Sequence, residues 1–91
     1  MSEVALTGWI AIPAADQPRL LPLLDDHIRL TRAEPGCLFF SVTPDPADPE
    51  RFEVAERFRD RAAFEAHQAR GAASPWGRET RHLARHYRVA G

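Results

Sequence analysis

The chain has 91 residues, 44% of them apolar and 27% charged, with a formal charge of −1 at pH 7. This composition predicts one folded domain over 1–91, and the interleaved charges exclude a basic nucleic-acid footprint. Twelve arginines with no lysine exclude Schiff-base and P-loop chemistry, and a lone cysteine, Cys37, excludes an internal disulfide or a multi-cysteine metal site.

Val4 to Ile12 is rich in β-branched and aromatic residues. Val4, Leu6, Ile10 and Ile12 share one parity and Trp9 has the other, which predicts a strand with both faces partly covered. Asp16 is the expected N-cap of a helix reaching Ala33, whose apolar stripe is Leu20, Leu21, Leu24, His27, Ile28 and Thr31. Pro22 is tolerated there if that helix starts late, and Glu34-Pro35-Gly36 stops it. Cys37 to Thr43 reads as a second strand and Pro44 to Glu50 as an exposed loop. Arg51 to Phe58 alternates, with Phe52, Val54, Glu56 and Phe58 on one face. Asp60 caps a second helix from Arg61 to Arg70. Ser74-Pro75 starts a short third helix, and Tyr87 to Ala90 closes the chain as a last strand.

The order β-α-β-β-α-(α)-β predicts an α+β fold of the ferredoxin-like split βαβ type, a four-stranded antiparallel sheet with helices on one face. Trp9 and Phe39 make the other face apolar, so a homodimer packed sheet to sheet is expected. No apolar run is long enough to span a membrane, and the start Met1-Ser2-Glu3-Val4 has no leader pattern. A soluble, cytoplasmic protein without a membrane partner is expected.

Three titratable side chains fall on faces that should be buried. His27 lies in the first-helix stripe, His67 one turn from Phe64, and Glu56 beside Phe52, Val54 and Phe58. A buried carboxylate is costly unless paired, so the expected partner of Glu56 is a histidine or an arginine. Such a pair in an apolar pocket can move a proton near neutral pH; it can equally be a hydrogen-bonded core pair, and both readings stand at this point. Phe58, Phe64 and Trp76 are core or pocket aromatics, and Arg32 and Arg70 are oxyanion holders or surface residues. His82 and His86 could share a helix face but lack the adjoining glutamate of a metal-binding helix, so no metal is expected. Cys37 reads as structural, and no serine sits in a nucleophile elbow.

The run Thr31-Arg32-Ala33-Glu34-Pro35-Gly36-Cys37-Leu38, with Arg51-Phe52, Glu56-Arg57-Phe58, Asp60-Arg61-Ala62-Ala63-Phe64-Glu65-Ala66-His67 and Ser74-Pro75, resembles the antibiotic biosynthesis monooxygenase (ABM) domain family. The resemblance covers about residues 3–90, taken as the core of a single ABM-like domain over 1–91, and implies a dimeric α+β barrel with a pocket between sheet and helices. It implies a cofactor-independent monooxygenase acting with dioxygen on a small quinol, phenolic or polyketide-like substrate. By the same resemblance His67 takes the place of the family's second-helix histidine and Glu56 that of its third-strand glutamate. Phe58 stands where a tryptophan is frequent, Val54 where the polyketide enzymes carry a polar residue, and Trp76-Gly77 where His-Phe is frequent. The catalytic set implied is His67 and Glu56 with His27 in reserve; the substrate-binding set is Phe58, Phe64, Trp76, Arg32 and Arg70. Two alternatives share the fold: an isomerase moving a proton on a small hydroxy-ketone, and a non-catalytic dimer that binds a small ligand.

Overall fold

The computed structural model describes residues 2–91. Strand β1 (Val4–Ala11) is followed by a 3-10 turn (Ala14–Asp16) and helix α1 (Gln17–Arg32). Strands β2 (Cys37–Asp45) and β3 (Asp48–Phe58) come next, then α2 (Arg61–Ala73), α3 (Pro75–Glu79) and β4 (Arg85–Ala90). The strands form one antiparallel sheet in the order β2-β3-β1-β4. The expected ferredoxin-like α+β fold is therefore the observed one.

Parity decides which side is buried. Val4, Leu6 and Ile10 of β1 and Ile12 just after it join Phe52, Val54 and Phe58 from β3 under the helices, and all are at most 6% exposed. Leu20 and Leu24 of α1, Phe64 of α2 and Trp76 of α3 close the layer from above. Each fully buried aliphatic or aromatic side chain contributes about 1.5–3 kcal/mol.

Several boundaries differ from expectation. Asp16 occupies the N-cap position of α1 but its side chain caps nothing, because the preceding 3-10 turn already sets the approach to the helix. That helix starts early, with Pro18 in its first turn, so Pro22 lies inside it rather than at its start. With no N–H at Pro22, the Pro18 carbonyl loses its helical partner. The expected loop from Pro44 to Glu50 is mostly hairpin: Pro44 pairs with Phe52 and Asp45 with Asp48, leaving a turn at Pro46-Ala47. Pro44 is tolerated there because β2 is an edge strand. The two capping assignments farther along hold. Asp60 accepts from the Ala63 amide at 2.8 Å and Ser74 from the Gly77 amide at 3.1 Å.

The second helix runs three residues beyond Arg70, and Gly77 lets α3 fold back on its end. A Cβ at Gly77 would stand 2.0 Å from the Gly71 carbonyl oxygen. The last strand starts at Arg85, not Tyr87, so His82 precedes it in a turn and His86 lies in it. The two share no helix face. On the open sheet face His86 stacks on Trp9 at 4.8 Å, Arg51 lies 4.9 Å from the Trp9 ring, and Phe39 is 46% exposed.

Candidate active site

A cavity of about 300 Å³ opens between the sheet and helices α1, α2 and α3. This is at the small end of the range of about 300–1,000 Å³ for ligand pockets. Ile10, Leu24, Val42 and Val54 form its apolar floor and Phe40 and Trp76 its aromatic walls. His27, Glu56 and His67 turn into it, the first from α1, the second from β3 and the third from α2.

The helical stripe that buries Leu20 and Leu24 also carries His27 inward, because residues three and four apart share a face. Alternation does the same for Glu56 between Val54 and Phe58. The His67 ring is 3% exposed and stacks on Phe58 at 4.8 Å. His27 stands 5.6 Å from His67 and 5.6 Å from Phe40, with Trp76 stacked at 6.2 Å.

The partner of His67 that fixes its orientation is Glu34, at 3.2 Å from Nδ1. Glu34 is held in turn by the Arg70 guanidinium, which also donates to Thr31 Oγ1 at 2.8 Å. The Thr31 hydroxyl donates to the His27 carbonyl at 2.7 Å. A carboxylate on Nδ1 keeps the proton on that nitrogen and leaves the Nε2 lone pair free. Nε2 lies 3.8 Å from Glu56 Oε1.

The electrostatics follow from burial. Removal from water pushes Glu56 up to about 7, and the Glu34 charge adds to it. Burial pushes His27 down to about 4, helped by His67 and Arg70. Burial also lowers His67, against the opposing pull of Glu34. Near pH 7 the site therefore holds a neutral His27, a His67 kept below the ordinary histidine value and a carboxyl poised between its two forms, with the Glu34–Arg70 pair behind. His27 Nδ1 and Glu56 Oε1 are buried and have no hydrogen-bond partner among the described residues. Such atoms are costly unless something else satisfies them, and here both belong to cavity-lining residues.

The structure brings His67, Glu56, His27 and Trp76 together around one cavity. Phe58 supports His67 from behind, fully buried. Phe64 packs edge-on against Phe58 at 5.9 Å and lies in the core, off the cavity wall. Arg32 is exposed and grips the Phe40 carbonyl at 2.9 and 3.1 Å, outside the cavity. Arg70 meets Glu34, not the cavity interior. Among the described residues, no three histidine, cysteine or acidic side chains converge in a metal-holding arrangement.

Sequence reasoning missed Glu34, read only as a helix stop, and the cavity residues Phe40, Arg81, Arg85 and Tyr87. One signal for Glu34 was available. An acid just past a helix C-terminus opposes the helix dipole, so it needs a compensating cation, and Arg70 is that cation.

The family model for antibiotic biosynthesis monooxygenase matches residues 4–78. A solved Mycobacterium tuberculosis structure is 25% identical, with TM-score 0.76, covering 99% of this chain and 94% of its own. A structure named an antibiotic biosynthesis monooxygenase is also 25% identical, with TM-score 0.74 and coverages of 96% and 93%. A Pseudomonas aeruginosa structure at 24% identity and TM-score 0.73 shares the fold, with coverages of 99% and 91%. No curated protein sequence matches the chain.

Proposed function

Since the chain belongs to the antibiotic biosynthesis monooxygenase family, we propose that it is a cofactor-independent monooxygenase of a small phenol or quinol, with His67 as the general base. The observation that carries this reading is the orientation of His67. Its Nδ1 is fixed on Glu34, and its Nε2 is free toward Glu56 and the cavity.

His67 Nε2 takes a proton from an electron-rich O–H or C–H of the substrate. The substrate anion gives one electron to dioxygen, and the radical pair joins to form a C–O bond as a peroxide. The proton on His67 returns to that peroxide. Loss of water then leaves one oxygen atom in a new carbonyl and the other in water, so a CH₂ and O₂ become C=O and H₂O. Glu56, half protonated near pH 7, supplies a proton to the departing hydroxide and recovers one from the second C–H of the former CH₂ as the carbonyl forms, so that it ends as it began. Glu34 holds the imidazolium while it exists, and the apolar floor with Phe40 and Trp76 keeps the anion out of water. His27, already neutral and held low, is a reserve acceptor. The open sheet face with Trp9 and Phe39 supports a homodimer through that face.

The test is oxygen uptake with a panel of naphthoquinols and anthraquinols, wild type beside His67→Ala. Uptake above the uncatalysed rate in the wild type and lost in the variant is expected. No uptake with any member refutes the oxygenase.

One observation favours a second reading. Arg81 and Arg85 line the same cavity, which suits a proton-transferring isomerase that holds a polar hydroxy-ketone. Turnover of such a substrate without oxygen consumption would identify it. If His67→Ala leaves every activity and every ligand affinity unchanged, the cavity belongs to a non-catalytic binder.

A further inference from the structure

The cavity is chemically lopsided. Its inner end carries Glu56, His67 and His27; its open end carries two arginines. Arg85 is the first residue of β4 and pairs across from Ile10, so it projects on the helix side of the sheet. Its NH2 group donates to the Thr80 carbonyl at 3.0 Å and to Thr80 Oγ1 at 3.2 Å. Thr80 is 1% exposed and donates its own hydroxyl proton to the Trp76 carbonyl at 2.6 Å. The guanidinium is thus clamped to the end of α3 by a buried threonine, and it also meets the Tyr87 hydroxyl on the same rim. Arg81 stands on the same rim, exposed.

Among the described residues neither arginine pairs with a carboxylate. Most other arginines near the surface do, including Arg19, Arg29, Arg51 and Arg57. The remaining rim groups, Gln68 and Tyr87, carry no negative charge at neutral pH. Among the described residues, the one acid lining the cavity is Glu56, at the inner end. A guanidinium offers a planar fork of donors that matches a carboxylate or phosphate. One of these two is also held in place before any ligand arrives, which lowers the entropy cost of binding.

We propose that the substrate carries an anionic substituent, a carboxylate or phosphate, which Arg81 and Arg85 hold at the cavity rim. Its reacting hydroxyl or C–H then points inward to His67. This rests on reading the cavity as the substrate pocket, and it narrows the substrate class from phenols and quinols at large to acidic ones.

The probes are 1-hydroxy-2-naphthoate and 1-naphthol, one ring system with and without a carboxylate, titrated calorimetrically into the intact protein. Neither needs to react, so the outcome stands whether or not oxygen uptake is found. The naphthoate is expected to bind at least about tenfold more tightly, the scale of one charge-assisted contact. That preference is expected to shrink as salt is raised. Arg85→Gln and Arg81→Gln should each reduce that preference several-fold. Arg85→Gln also breaks the Thr80 contacts; Arg81 has no hydrogen bond or ion pair among the described residues, so Arg81→Gln separates recognition from folding. Equal or tighter binding of 1-naphthol, no binding of either probe at millimolar concentration, or a preference that survives both substitutions would overturn the proposal. Phosphorylated and carboxylated naphthols compared side by side distinguish the two anions.

Discussion

Replacing Glu56 by glutamine should make the stability of this protein depend on pH in a way the wild type conceals. Glu56 is held near 7 in the fold against 4.5 for the free side chain. The folded state therefore binds more protons than the unfolded state between those values, and stability falls as pH rises through that window. At about 1.4 kcal/mol per pH unit of displacement the loss is about 3 kcal/mol, complete just above pH 7. His27 runs the other way. Its value near 4 lies below 6.5, so the unfolded state binds more protons and stability rises between about 4 and 6.5, again by about 3 kcal/mol. The two slopes oppose one another from about 4.5 to 6.5. Glu56→Gln removes one and leaves the other. Urea unfolding at pH 5 and pH 8 measures this directly. The variant's stability relative to wild type should increase by roughly 3 kcal/mol between those pH values, whatever its absolute offset. A difference that stays flat across the range would refute the claim that Glu56 is destabilised by ionising in a dry site.

Glu34→Gln should lower kcat of any His67-dependent reaction by about a hundredfold, the scale seen when the group orienting a catalytic histidine is lost. It should also move the acid limb of the kcat/KM profile to lower pH, because Glu34 is the group that raises His67; an unshifted profile would mean that Glu34 serves structure alone. Phe58→Ala removes a fully buried ring that supports His67. It should cost about 3–5 kcal/mol in urea titration, and a loss under 1 kcal/mol would show that the site has collapsed around the gap.

The sheet and helices were legible because their signals are local. Alternation over Arg51 to Phe58 and the three-and-four spacing from Leu20 to Thr31 reflect burial on one side only. The proline-rich run after Thr43 misled because its composition reads as a loop. Pairing across an edge strand overrides that composition: Pro44 gives up a bond that solvent-facing edges do not need. Within the site, His27, Glu56 and His67 stood out as titratable groups on apolar faces. Their relation to Glu34 could not be read, since it joins residues 34 and 67, brought together only when α2 packs near the start of β2. The reach of arginines is similarly invisible. Arg32 ends on a backbone carbonyl, Arg70 on Glu34, and Arg85 on Thr80, three different destinies for one residue type that only packing decides.

The strand order has a consequence for how the molecule is assembled. The first strand made, β1, is flanked in the sheet by β3 and by β4, the last. The Leu6, Thr7 and Gly8 backbone pairs with Val89, Arg88 and Tyr87, a joint that spans nearly the whole length of the chain. The sheet holds β4, with Arg85 and Tyr87, through β1 alone, whereas Glu56 sits on β3, which is flanked on both sides. The inner end of the cavity and its rim are thus tied into the fold by different strand pairings, and the rim depends on the most non-local of them.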